Sequence, residues 1–348
     1  MQEYATPVYT QPLKKLRPYG AEQKRLFLTA TVLGLGLLLY IALSSALSSV
    51  LVSDPSLYDR YRNGGAFSLI FDMTYTSVAV FLPFCLVYGL LRAMRLSAEI
   101  PLGGVYHPRN AALLVLAAIA CCFIGDIGAS WLSVVLDSFG LEFYSMQVPV
   151  EAVDLSPGMI ILLLLRSAVF PALFEEFAYR GVVMQTLRRY GDRFAIVVSA
   201  FLFGMMHGNM LQVPFAFAIG LVLGYCTTVT GSLWIGIAIH FFNNFFACMQ
   251  QIVLSAYGET AALAFMSILM YGMIAVGVIC FFIYCASNRN IFRLRASRFL
   301  YMRHKGKLVL LAPTVLFSVA YFTYAVLMDV VGFYEWFASS LQNLFGMI

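Results

Sequence analysis

The strongest constraint in this sequence is a series of long, nearly uncharged apolar stretches, each about the length that a helix needs to cross hydrocarbon. About 20 residues at 1.5 Å each are required. Nine segments reach or approach that length: 27–52, 70–91, 111–136, 157–187, 194–210, 213–229, 232–254, 262–285 and 308–331. Short polar connectors separate them. Apolar residues are 61% of the chain and charged residues 11%, where a soluble domain averages roughly 25% charged. A membrane β-barrel would require short alternating strands, and the sequence has none. The expected fold is all-α: a polytopic transmembrane helix bundle of about nine spans.

The ends and loops indicate an orientation. Lys14, Lys15, Arg17, Lys24 and Arg25 precede a first apolar run that is too long for a cleaved signal of about 7–15 apolar residues. It reads as a retained helix. Basic clusters follow the second span (Arg92, Arg95, Arg109), the fourth (Arg188, Arg189, Arg193) and the eighth (Arg289 to Lys307), whereas the 137–156 loop carries only acidic charge. Nine spans with a cytoplasmic N-terminus place every basic cluster on the cytoplasmic side of a cell membrane. These charges report topology, and no nucleic-acid partner is expected. The seven cysteines lie within spans and form no CxxC pair, so they read as small packing residues.

No internal repeat or long linker divides the chain. The expected organisation is a basic segment (1–26), one transmembrane domain (27–331) with its chemistry at 157–254, and an interfacial tail (332–348). The tail spaces Phe333, Trp336, Phe337, Leu341 and Leu344 at helical intervals. The stretch from Asn288 to Lys307 interleaves arginines with apolar residues, as an interfacial helix or a positive-inside loop would. Gly204/Gly208 and Gly220/Gly224 are spaced to let helices approach closely.

Ionisable residues inside a membrane are costly, and each is a candidate for function. The fourth span is too long for a straight crossing, has Pro171 in its middle, and then reads Phe174-Glu175-Glu176-Phe177-Ala178-Tyr179-Arg180. Neighbours on a helix differ by about 100°, so Glu175 and Glu176 point apart. Glu176 and Arg180, four apart, share a face and read as a structural ion pair. Glu175 is left without a partner in its own helix. A carboxylate in a partly hydrated, low-dielectric pocket gains the basicity of a general base. Phe203-Gly204-Met205-Met206-His207 closes the fifth span, and His240-Phe241-Phe242-Asn243-Asn244 lies in the seventh. Measured from the cytoplasmic helix ends, Glu175 and His207 are about 20 and 21 Å deep, and His240 and Asn244 about 12 and 18 Å. Three helices thus bring polar groups to a similar level. Asp126 and Arg166, matched in depth from the outer side, are expected to pair with each other.

Glu175-Glu176-x-x-x-Arg180, Phe203-x-x-x-His207 and His240-x-x-x-Asn244, in that order on separate helices, resemble the three motifs of the CPBP family. This is the family of CaaX prenyl endopeptidases and bacteriocin-processing enzymes, also called Abi. The resemblance spans roughly residues 157–254. It implies an intramembrane endopeptidase acting on a membrane-associated peptide or protein within the lipid bilayer. Glu175 matches the glutamate that activates water together with the residue matching His207. His240 and Asn244 match groups that bind the water or stabilise the oxyanion, while Glu176 and Arg180 form the supporting pair. Two histidines and a glutamate also suffice for a catalytic zinc with an open position. The preferred reading needs no cofactor; if zinc is used, its ligands are Glu175, His207 and His240. HExxH, GxGD and GxSxG motifs are absent. The rivals are a scaffold or sensor that retains the motifs without turnover and, less favoured by the odd span count and missing repeats, a transporter.

Overall fold

The computed structural model describes residues 19–143, 153–288, 294–296, 302–333, 335 and 339. Apart from one isolated bridge, between Phe143 and Val330, the regular structure among them is helical. The helices are α1 (Tyr19–Ser53), α2 (Pro55–Arg62), α3 (Ala66–Ala93), α4 (Pro108–Ser138), α5 (Pro157–Tyr190), α6 (Asp192–Met206), α7 (Gln212–Thr230), α8 (Leu233–Tyr257), α9 (Glu259–Ser287), α10 (Met302–Leu310) and α11 (Pro313–Met328). Several start with proline in the first turn, where its missing N–H costs nothing. Asp54 caps α2 by accepting from the N–H groups of Ser56 (2.9 Å) and Leu57 (3.3 Å). The Ser56 hydroxyl, followed by these N–H groups, holds the Asp54 carboxyl below its usual range.

Seven of the helices (α1, α3, α4, α5, α7, α8 and α9) are long and apolar enough to cross a membrane. The chain is a multi-pass membrane protein, an all-α polytopic bundle. The described residues do not contain nine crossing helices. Two of the nine expected segments differ. The segment expected at 194–210 is α6, of 15 residues, about 22 Å long against roughly 30 Å of hydrocarbon. It stops because the chain turns at Gly208, whose φ of +66° is a left-handed conformation that favours glycine. The segment expected at 308–331 is broken: α10 and α11 meet at 75° and count as one span only if the bent pair is taken together. Pro313 holds Ala312 in extended geometry at the break.

Two apolar cores organise the bundle. One joins α1, α3, α6 and α11 to the C-terminal half of α5, with Leu37, Phe84, Tyr179, Leu187 and Phe322 buried inside it. The other joins α4, α7, α8 and α9 around Ala118, Leu223 and Ile239. α5, α6, α7 and α8 meet between them. α6 and α7 approach closely because Gly204, Gly220 and Gly224 present no side chain. A Cβ at Gly220 would sit 3.0 Å from Ala200, and one at Gly204 would sit 2.9 Å from the Val213 carbonyl.

The basic region after α9 is not a surface helix resting on lipid alone. Lys305 is buried and donates to the Tyr190 carbonyl at 2.7 Å, and Arg295 lies 3.7 Å from Asp192. Residues 289–293 and 297–301 lie outside the described residues, as do residues 1–18, residues 144–152 of the acidic loop and most of the expected interfacial tail.

Candidate active site

The 34-residue helix α5 carries the carboxylates, and its backbone is not uniform. Pro171 cannot donate to the preceding turn, and the helix widens into a π turn at Leu165–Val169 just before it. A second π segment runs from Phe177 to Met184. Carbonyls in this wide segment are taken by side chains. The Ser199 hydroxyl of α6 donates to Tyr179 O at 2.7 Å, and the Gln185 amide donates to Arg180 O at 3.1 Å. The widened helix is thereby tied to α6.

Glu176 and Arg180 lie at the start of that segment with fully buried side chains, 2.8 Å apart. Leaving either charge alone in such a place would be costly, so geometry and extra partners decide whether the pair is tolerable. Phe203 supplies one partner: the guanidinium carbon of Arg180 stands 4.1 Å from the centre of its ring. A desolvated contact of this kind contributes about 2 kcal/mol. His240 supplies another. Its Nδ1 lies 3.1 Å from the same Glu176 oxygen, Oε1, that accepts from Arg180. A carboxylate accepts, so Nδ1 carries the proton and Nε2 is the nitrogen left for the site.

That nitrogen faces Glu175. Nε2 of His240 is 3.9 Å from Oε2 of Glu175, too long for a direct hydrogen bond and suited to one bridging water. The neighbouring carboxylates therefore diverge on their helix and yet meet opposite edges of one imidazole. Their exposures differ accordingly: the Glu175 side chain is 14% exposed and that of Glu176 is 0%.

His207 follows the end of α6. Its Nδ1 donates to the Phe203 carbonyl at 2.8 Å, which leaves Nε2 available. The Phe203 ring holds both histidines edge-on, with centroids 4.9 Å from His207 and 5.9 Å from His240. Asn244, one turn beyond His240 on α8, accepts from the Asn243 amide through Oδ1 at 3.1 Å, so its own N–H groups are the side it can offer. Glu175, His207, His240 and Asn244 all line one cavity of about 580 Å³. Glu176 and Arg180 are not in its wall.

Arg166 does not pair with Asp126. Its guanidinium binds Asp72 of α3 at 2.7 and 2.8 Å, and Asp72 also accepts from the Tyr61 hydroxyl at 2.9 Å. Depth matching had assigned the wrong acid because it ignores direction around the helix. Sequence reasoning also gave no role to Phe203, although it opens the motif containing His207, nor to Gly236. A methyl group at 236 would sit 2.8 Å from Glu176 Oε2 and 2.7 Å from Thr227 Oγ1. The missing side chain is what admits the Glu176 carboxylate against α8. The signal available was a lone glycine four residues before His240, on the same face.

For zinc, Glu175, His207 and His240 would have to converge on one ion at about 2.0–2.2 Å. Among the described residues no three His, Cys, Asp or Glu side chains are disposed to hold a metal ion. Glu175 and His240 stand 3.9 Å apart, and they form no such set with His207. In this arrangement the donors do not fit zinc.

Residues 157–246, which hold α5, α6, α7 and the site-bearing part of α8, match the family model described as type II CAAX prenyl endopeptidase Rce1-like. Over this core the chain is similar to the CPBP-family membrane proteases. "Putative membrane peptidase YdiL" of Bacillus subtilis (strain 168) is 24% identical over 172 residues, covering 48% of this chain and 68% of that protein. No solved structure matches the chain.

Proposed function

We propose that the chain is an intramembrane endopeptidase in which Glu175, without a metal, activates a water molecule for attack on a peptide bond. The observation that carries this reading is the division of labour between adjacent carboxylates. Glu176 is sealed between Arg180 and His240, while Glu175 faces the cavity with His240 Nε2 3.9 Å away. A water between them donates one hydrogen to each. Glu175 takes the proton as the oxygen attacks the carbonyl carbon. Negative charge then forms on the former carbonyl oxygen, and the Asn244 amide is the donor on the cavity wall that can meet it. The proton passes to the leaving nitrogen as the C–N bond breaks. His207, whose Nδ1 is taken by the Phe203 carbonyl, is the second group able to carry it.

The test is comparative proteomics of cells carrying the wild-type chain or Glu175→Gln. Precursors should accumulate with the variant, and cleavage should return with wild type. Equal peptide profiles at equal protein levels would favour a scaffold instead. The metal-free part is tested separately: chelator-treated enzyme should keep its activity in detergent. Stoichiometric zinc, with activity lost on its removal and regained on its return, would overturn that part.

A further inference from the structure

The cavity is one-sided along the bundle axis. On α5 its wall consists of Arg166, Ser167, Pro171 and Glu175, and nothing beyond Glu175 contributes. On α8 the wall runs from His240 towards the C-terminus, to Gln251. The ends that flank it lie together. The backbone N–H of Val153, ahead of α5, donates to the Ser255 hydroxyl near the end of α8 at 2.9 Å. Arg166 reaches Asp72 near the start of α3. These two side chains are 42% and 21% exposed and form a polar rim about nine residues, or roughly 13 Å, from Glu175 along α5.

The opposite end is plugged. Every residue from Ala178 to Leu187 is buried. The loop before α4 is strapped over the start of α8, with Leu233 N donating to Pro101 O and Ser232 Oγ to Gly103 O, both at 2.8 Å. Lys305 closes on Tyr190. Arg92, Arg188, Arg189 and Arg193 lie at this end, whereas the connectors at the cavity end carry Asp54, Asp59, Asp137, Glu142 and Asp154 against Arg60 and Arg62 and are acidic on balance. Short basic loops stay in the cytoplasm.

We infer that the catalytic cavity is loaded from the extracytoplasmic side. Its substrates are then peptides or membrane-protein segments exposed at the outer face, not cytoplasmic C-terminal tails. The rim suits such a chain: Arg166, Asp72 and Gln251 offer donors and acceptors to an unfolded backbone before it reaches Glu175. The substrate class rests on the peptidase reading, but the sidedness does not.

Accessibility decides the matter without turnover. Gln251→Cys and Ser167→Cys, each in the full chain, report on the cavity. Asn63→Cys and Glu99→Cys report on the two ends. All are treated with a membrane-impermeant thiol reagent in intact cells and in everted vesicles, against the parent chain as background. The cavity cysteines should label from outside, together with Asn63→Cys, while Glu99→Cys labels only in everted vesicles. Labelling of both cavity cysteines with Glu99→Cys, labelling from neither side, or an exchange of the two reference sites would overturn the inference. Adding Glu175→Gln to these variants should leave labelling unchanged, so loss of peptidase activity and loss of sidedness remain separate results.

Discussion

The two halves of α5 lie in opposite surroundings. From Pro157 to Glu175 the helix borders a cavity and presents Arg166, Ser167 and Glu175 to it. From Ala178 to Leu187 every side chain is buried, and Arg180 is paired through Nη1 with Glu176 and lies over the Phe203 face, while its Nε and Nη2 have no hydrogen-bond partner. The boundary falls between two consecutive glutamates. A charge can thus be left facing a cavity or committed to the fold within one residue of sequence, according to whether its neighbours engage it. His240 belongs to both halves, with one nitrogen on each side of the boundary.

Substitutions on either side of the boundary should separate the halves. Glu175→Gln preserves shape and should lower turnover by about 10²–10⁴-fold, the range for a positioned acid–base group. The thermal midpoint should stay near that of wild type in a detergent melt. Glu176→Gln leaves Arg180 buried without its counter-charge, which costs roughly 3–5 kcal/mol when such a pair is broken. It should lower the midpoint and also reduce turnover, because His240 loses its anchor. If the two variants exchange these behaviours, the boundary lies one residue away from where it is placed here.

Asn244→Ala should lower kcat by about 10²–10³-fold with little change in KM, as expected when an oxyanion donor is removed. An equal rise in KM would make Asn244 a binding group instead. The smallest effect is expected from Gly236→Ala. Its methyl group would press on Glu176 Oε2 and Thr227 Oγ1, and overpacking of this kind costs about 1–3 kcal/mol. A melt that does not move would mean that α8 can shift, and that the contact is looser than its distances imply.

Much of this was legible beforehand, and the failures have specific causes. Hydropathy alone gives a helical membrane bundle, because few other structures satisfy the backbone in lipid. It overstates the spans because the apolar run at 194–210 continues through His207 and Gly208 without a charge to mark the turn. The order and spacing of the three motifs brought Glu175, His207, His240 and Asn244 into one proposal, and the structure places all four around one cavity. The double engagement of His240 was not legible. Helical periodicity says where a side chain leaves its own helix, but not which edge of a ring on another helix it meets. Arg166 illustrates the same limit, since depth agreed for Asp126 while direction favoured Asp72.

The Glu176–Arg180 pair also bears on how this chain can enter a membrane at all. A single charged residue at the centre of an inserting helix costs about 2.5–3.5 kcal/mol. α5 carries four such residues, of which Arg166 finds Asp72 on the earlier helix α3, and it is synthesised some fifty residues before α8 brings His240. Because Glu176 and Arg180 are one turn apart on the same helix, they can neutralise each other before any partner helix arrives. α5 can therefore settle in the bilayer as an independent segment, carrying only Glu175 as an uncompensated acid. The later arrival of α8 then completes the site around a helix that is already in place.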